Sequence, residues 1–110
     1  INGTPVLLKG VNHHDTHPTG GYTESYEFLR NELFKMKELN INCIRTSHYP
    51  PTPEFLNLCD ELGFYVVDEA DLETHGFSTT CEGGHIPPES TPAEDIVHSK
   101  EWTSAYLERI

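Results

Sequence analysis

The sequence is short of positive charge: seven Lys and Arg stand against 18 Asp and Glu, a formal net charge of −11 with histidine neutral. Such a balance repels phosphate backbones and anionic lipid surfaces. It argues against nucleic acid and membranes as partners and favours a neutral or cationic ligand. Long apolar runs are missing as well. None approaches the roughly 20 residues of a membrane-spanning helix, and no charged-then-apolar leader opens the chain. Cysteine is scarce: Cys43, Cys59 and Cys81 form an odd set without CxxC spacing, which indicates neither a disulfide framework nor a cysteine zinc site. Reduced thiols in a soluble, cytoplasmic chain are expected. Cys43 and Cys59 lie in apolar patterns and read as packing residues, while Cys81 lies in a Gly-rich loop. There is no repeat and no low-complexity tract.

At 110 residues the chain can bury one small core at most. Both ends, Ile1 and an Ile110 lying within a predicted helix, read as cuts from something longer. Pro5 to Val11 is an apolar run of strand length and reads as a buried strand. From Thr23, a good N-cap, Tyr26, Leu29, Leu33 and Met36 recur at the three-four spacing of one helical face, and Asn40 stops that helix. Ile41 to Thr46 is a second strand, ended by the Ser47-His48-Tyr49-Pro50-Pro51 turn. Thr52-Pro53-Glu54 opens a second helix with an N-cap, a proline and an acid in its first turn; Phe55, Cys59 and Leu62 mark its buried face and Gly63 its end. Phe64 to Asp68 is a third strand. A long loop, residues 76–98, precedes a last helix capped by Ser99 and carrying Trp102, Tyr106 and Ile110. Strands alternating with helices over short connections predict a parallel α/β sheet, as in a barrel or a doubly wound fold.

Histidines and acids gather after each predicted strand: residues 12–17, residues 45–48 and residues 68–75. That places all three clusters at the strand C-terminal ends, the edge where parallel α/β folds bind ligands. Arg45, ending a buried strand, needs an acidic partner, because an unpaired charge there is costly. Glu69 is the candidate, either as a structural ion pair or in orienting a catalytic carboxylate. Glu73 and His75, at i and i+2, could chelate one cation if the chain is extended. The carboxylate suits Mg²⁺ and the imidazole a transition metal, so the ion stays open. His14 with His17 is a weaker zinc half-site. His13, His85 and His98 read as solvated or locally hydrogen-bonded side chains.

Three strings then match one family: Leu8-Lys9-Gly10-Val11-Asn12-His13-His14-Asp15-Thr16-His17-Pro18, Ile44-Arg45-Thr46-Ser47-His48-Tyr49-Pro50, and Tyr65-Val66-Val67-Asp68-Glu69-Ala70-Asp71-Leu72-Glu73-Thr74-His75-Gly76. They resemble the β-galactosidases of glycoside hydrolase family two, in register over residues 1–77. The Glu-Thr-His string favours that activity over the glucuronidase and mannosidase relatives. The resemblance implies a partial (β/α)₈ TIM barrel with parallel strands, about its first three β/α units. Residues 1–110 would then be the N-terminal portion of the catalytic domain of a longer, multidomain enzyme. It implies a retaining hydrolase of terminal non-reducing β-D-galactosides, homo-oligomeric in the parent. It also implies that His14 and His48 bind galactosyl hydroxyls, that Glu73 and His75 ligate Mg²⁺, and that Arg45 stands beside the nucleophile. His13 departs from it, standing where several relatives have Arg, and residues 78–98 form a longer loop.

A retaining glycosidase needs two carboxyl groups about 5–5.5 Å apart, one as acid/base and one as nucleophile. In the family the acid/base follows an Asn beyond the fourth strand, and here the only Asn-Glu, Asn31-Glu32, lies in the first helix. Both catalytic groups are therefore expected to be absent from this chain, which on its own should be inactive and hold Mg²⁺ incompletely. The competing readings are a stand-alone carbohydrate- or metal-binding module, a β-glucuronidase or β-mannosidase relative, and a zinc-dependent barrel hydrolase using His14 and His17.

Overall fold

The computed structural model describes residues 1–72 and 100–110. The chain divides into two compact units, Ile1–Glu69 and Ala70–Ile110. In the first, β1 (Gly10–His13), α1 (Tyr26–Glu38), β2 (Cys43–Thr46), α2 (Pro53–Leu62) and β3 (Tyr65–Val67) succeed one another. The strands form one parallel sheet in the order β1-β2-β3. This is the parallel strand-helix alternation that the sequence predicts. Register sets Asn12 opposite Arg45, and Arg45 opposite Val67. The three strands consequently end side by side, and the segments leaving them meet on one edge of the sheet.

Local sequence explains the helices. Ser25, rather than the expected Thr23, caps α1: its Oγ accepts from Phe28 N at 3.2 Å. Glu27 in the first turn and Lys35 and Lys37 in the last complement the helix dipole. Leu29 and Leu33, four apart, are the buried stripe, and the chain leaves through Asn40 at φ 61°, a left-handed conformation that asparagine tolerates. In α2 the Thr52 hydroxyl accepts from Phe55 N at 3.3 Å, Pro53 occupies the first turn, and Gly63 ends the helix at φ 71°. Phe55, Leu58 and Cys59 are its buried residues. With Leu29, Leu33, Ile44 and Phe64 they make the core, each large side chain contributing about 1.5–3 kcal/mol by burial.

Two further expectations are corrected. The run from Pro5 is not a buried strand: β1 begins only at Gly10, and Leu7 is 74% exposed. The reason is that β2 starts at Cys43, so the ladder has no earlier partner. The Asn42 side chain substitutes for one, its Oδ1 accepting from Lys9 N at 2.7 Å and its Nδ2 donating to Leu7 O at 3.0 Å. In the second unit the last helix is short. Lys100–Trp102 is a 3₁₀ turn, and α3 (Thr103–Leu107) has five residues, no side-chain cap, and an 89% exposed Ile110 beyond it. Without a cap or a buried stripe, so short a helix gains little beyond its nucleation cost. Ser99 lies outside the described residues. No helix among the described residues is long and apolar enough to cross a membrane.

Candidate functional site

The edge formed by the C-terminal ends of β1, β2 and β3 gathers the polar side chains. Thr46, buried at the end of β2, ties β2 to the chain leaving β3. Its Oγ1 accepts from Glu69 N at 2.9 Å and donates to Asp68 Oδ1 at 3.4 Å. Ser47 N donates to His13 O at 2.9 Å, which carries the β1/β2 pairing one step further. The backbone of all three exits is thus fixed before any side chain acts.

On that frame Arg45 and Glu69 meet as expected, Arg45 Nη2 lying 2.7 Å from Glu69 Oε2. The other carboxylate oxygen, Oε1, stands 3.1 Å from His48 Nδ1, while Arg45 Nη2 is 3.3 Å from the same nitrogen. One nitrogen cannot both donate to Glu69 and accept from Arg45. The carboxylate is the stronger partner, so Nδ1–H donates to Glu69 and Arg45 pairs with Oε2. A neutral His48 then keeps its Nε2 lone pair free to accept a hydrogen bond. Arg45 Nη1 lies 3.5 Å from Asn12 Oδ1, a contact at the margin of hydrogen bonding.

His14 comes to the same place: its ring is edge-on to His48 at 5.4 Å between centroids. Tyr49 lies beside both. Its hydroxyl accepts from Asp15 N at 3.1 Å and is 3.5 Å from His14 Nδ1, bridging the loops after β1 and β2. The structure therefore joins His14, Arg45, His48 and Glu69 in one open, partly exposed cluster. Glu73 and His75 lie outside the described residues, as do Cys81, His85 and His98.

His17 does not join His14 as half of a zinc site. Its Nδ1 accepts from Gly20 N at 2.9 Å and from Thr19 N at 3.2 Å, and its ring packs edge-on against Phe28. It builds a turn closed by its own bridge to Gly21, and a Cβ on Gly20 would meet Thr23 O at 2.8 Å. His13 is not the solvated or locally hydrogen-bonded side chain that the sequence suggests: it is buried and bonds across the fold to α1. Its Nε2 is 2.9 Å from Glu32 Oε2, and its ring stacks on Phe55. Ligand atoms of His13, Glu24 and Glu32 lie within 4.8 Å of one another, a group that could hold a metal ion. Burial pulls the His13 imidazole down. The hydrogen bond to Glu32 and the charges of Glu32, Glu24 and Asp15 outweigh it, leaving the pKa raised. Glu24 is raised by burial first, with Glu32 and Asp15 adding to the shift and His13 and His17 opposing it.

Sequence reading put Asn12, Thr46 and Asp68 within the three clusters on this edge but gave them no role, and it left Tyr49 out of the clusters. The signal was present: all four stand inside the three strings, and a polar residue at a strand end needs a partner. It also missed Glu24 and Glu32, whose link to His13 is tertiary.

Comparison with known proteins places the arrangement. All of residues 1–110 match the family described as glycosyl hydrolases family 2, TIM barrel domain. The beta-galactosidase of Vibrio cholerae serotype O1 is 40% identical over 110 residues, covering 100% of this chain and 10% of that protein. Among solved structures, a beta-glycosidase from Bacteroides vulgatus superposes with a TM-score of 0.59 at 40% identity, over 62% of this chain and 9% of that one. A β-glucuronidase from Ruminococcus gnavus, in complex with D-glucaro 1,5-lactone, also gives 0.59, at 38% identity over 62% of this chain and 12% of its own. The chain spans about a tenth of the length of the curated relatives it matches.

Proposed function

The chain belongs to family 2 of the glycosyl hydrolases, matching their TIM barrel domain along its length, and from that premise we propose that it is the N-terminal portion of the catalytic barrel of a longer, retaining β-galactosidase. One observation carries the reading. His48, held through Nδ1 by Glu69, leaves an Nε2 acceptor beside His14 on the ligand-binding edge of a parallel sheet. Such an acceptor suits a sugar hydroxyl. The Arg45–Glu69 pair fixes the imidazole's tautomer and angle, so the hydrogen bond is set before the sugar arrives. As the galactosyl ring flattens toward an oxocarbenium ion, a hydroxyl held this way binds more tightly in the transition state than in the ground state. His14, oriented by Tyr49, is a second hydroxyl contact, and Arg45 stands where it can position the nucleophile.

Glu73 and His75 would hold Mg²⁺. A carboxylate oxygen fits that ion, and the imidazole fits it less usually. The ion's charge would offset that of the acidic groups around the sugar. The acid/base and the nucleophile lie beyond residue 110 in this reading, so the chain binds and orients but does not break the bond. A terminal β-galactoside is the substrate, and the parent is a cytoplasmic homo-oligomer.

The relatives that cover the whole chain carry the galactosidase name, while likeness to the glucuronidase structure favours a second reading, a β-glucuronide substrate. Hydrolysis of nitrophenyl β-galactoside and β-glucuronide by the full-length enzyme decides between them. Faster turnover of the galactoside is expected, and preference for the glucuronide overturns the proposal. The 110-residue chain, purified free of host enzyme, should hydrolyse neither. A native product ending near residue 110 that binds galactose without cleaving galactosides would instead establish a binding module.

A further inference from the structure

A second set of ligating side chains, sharing no residue with the His14–Arg45–His48–Glu69 cluster, joins the end of β1 to α1. His13 ends β1, Glu24 precedes the α1 cap Ser25, and Glu32 stands in the middle of α1. His13 is 6% exposed and packed on Phe55, with ring centroids 4.8 Å apart. Its side-chain hydrogen bond runs into the cluster, to Glu32, and its Nδ1 has no hydrogen-bond partner, standing 3.6 Å from the Asp15 carboxylate. Glu24 Oε1 is a buried atom with no donor. Three carboxylates thus surround one imidazole, and a buried, unpaired carboxylate oxygen is costly. Protonating His13 neutralises only one of the three charges. A divalent cation would neutralise two and give Glu24 Oε1 a partner.

We propose that His13, Glu24 and Glu32 bind a divalent transition-metal ion, with Zn²⁺ as the type case, through one imidazole nitrogen and two carboxylate oxygens. The imidazole disfavours Mg²⁺ and Ca²⁺, and an N/O/O set with a fourth position left for water is a zinc geometry. Ligand atoms on a tetrahedral ion of this kind stand about 3.4 Å apart. The three atoms now lie within 4.8 Å of one another, and His13 and Glu32 are 2.9 Å apart. The His13–Glu32 contact therefore opens slightly while Glu24 swings inward. Both glutamates are partly exposed and can make that adjustment, whereas Phe55 holds the histidine. The ion would pin the β1–α1 connection and would use neither of the proposed Mg²⁺ ligands, Glu73 and His75.

The experiment titrates the metal-free 110-residue chain with Zn²⁺ by calorimetry and with Co²⁺ by visible absorption. One ion per chain is expected at this site, with Co²⁺ bands of four-coordinate intensity and a higher melting temperature. His13→Arg leaves a permanent cation among the carboxylates, which preserves folding by circular dichroism, but it cannot ligate. Binding should weaken by at least the roughly 100-fold that an outer-shell change alone can cost. Glu24→Gln with Glu32→Gln should do the same, and Glu73→Gln with His75→Asn should leave these signals in place. The proposal is overturned if the native chain takes up neither ion, if His13→Arg binds as the native chain does, or if the Glu73 and His75 substitutions alone abolish binding.

Discussion

Two histidine–glutamate pairs stand at neighbouring strand ends with almost the same contact: His13 Nε2 to Glu32 at 2.9 Å and His48 Nδ1 to Glu69 at 3.1 Å. Their surroundings are opposite. The His13 side chain is 4% exposed and stacked on the core residue Phe55, with no basic side chain in its pairing. The His48 side chain is 42% exposed, shares its glutamate with Arg45, and keeps a ring nitrogen open. A short contact therefore says little about what a pair does. The residues around it decide whether the histidine faces an open edge that a sugar can reach or a closed set of carboxylates between two elements.

The comparison breaks most visibly in catalysis. In the longer parent enzyme, His48→Phe should lower kcat on the order of 10²–10³-fold with a smaller change in KM, comparable to losing one preorganised donor. His13→Phe should leave kcat per folded molecule near native. Kinetics normalised by active-site titration check both, and a near-native kcat for His48→Phe would remove it from the site.

Stability should sort the pairs the other way. His13→Ala leaves Glu32 without its hydrogen-bond partner and removes the imidazole from beside Glu24. A loss of about 2–3 kcal/mol is expected in metal-free protein, moderated by the partial exposure of Glu32. His48→Ala removes a half-exposed pair and should cost under about 1 kcal/mol. Urea denaturation of the two variants under one buffer measures the contrast, and equal losses would end it.

A finer cut separates the frame from the site. Thr46→Val keeps the shape of the β2 end but removes the oxygen that accepts from Glu69 N and donates to Asp68. About 1 kcal/mol should be lost, because a part-buried N–H is left without its acceptor. The same change should lower kcat in the longer enzyme, since Glu69 orients His48. A stability loss with no change in kcat would show that the frame does not position the pair.

Much of this is legible in the sequence, for physical reasons. The caps Thr52-Pro53 and Gly63, the Asn40 stop and the Leu29–Leu33 stripe are local signals, and each acts at the position its residue type suggests. The Arg45–Glu69 pair is legible because a charge at the end of a buried strand has few ways to be satisfied. The illegible part is non-local. A strand's length depends on its neighbour, so Pro5 to Lys9 reads as strand although β2 is too short to pair with it. The cap moves from Thr23 to Ser25 because both residue types suit the role and tertiary packing chooses between them. The link of His13 to Glu24 and Glu32 spans a turn and a helix, and no spacing rule reports it.

The smallest effect tests whether the interior around Phe55 is as closed as the His13 pair requires. Cys59 lies on α2 one turn beyond Phe55, fully buried. Burial, with a smaller contribution from Asp60 against an opposing one from Lys37, pushes its thiol up from 9.0 to about 12. The folded state therefore holds the thiol proton more tightly than the unfolded chain does. Stability is fully present below about pH 9 and is lost as pH climbs toward 12, because only the unfolded thiol ionises in that window. Each pH unit above 9 should remove at most about 1.4 kcal/mol, and the loss between pH 8 and pH 10 should come to about 1.4 kcal/mol. Cys59→Ala carries a cavity cost at every pH but lacks this ionisation, so its stability should fall less between pH 8 and pH 10. Urea midpoints of the two proteins at both pH values give the difference. Parallel losses would mean that the Cys59 thiol ionises in the folded state as freely as in the unfolded one, and that solvent reaches the packing under His13.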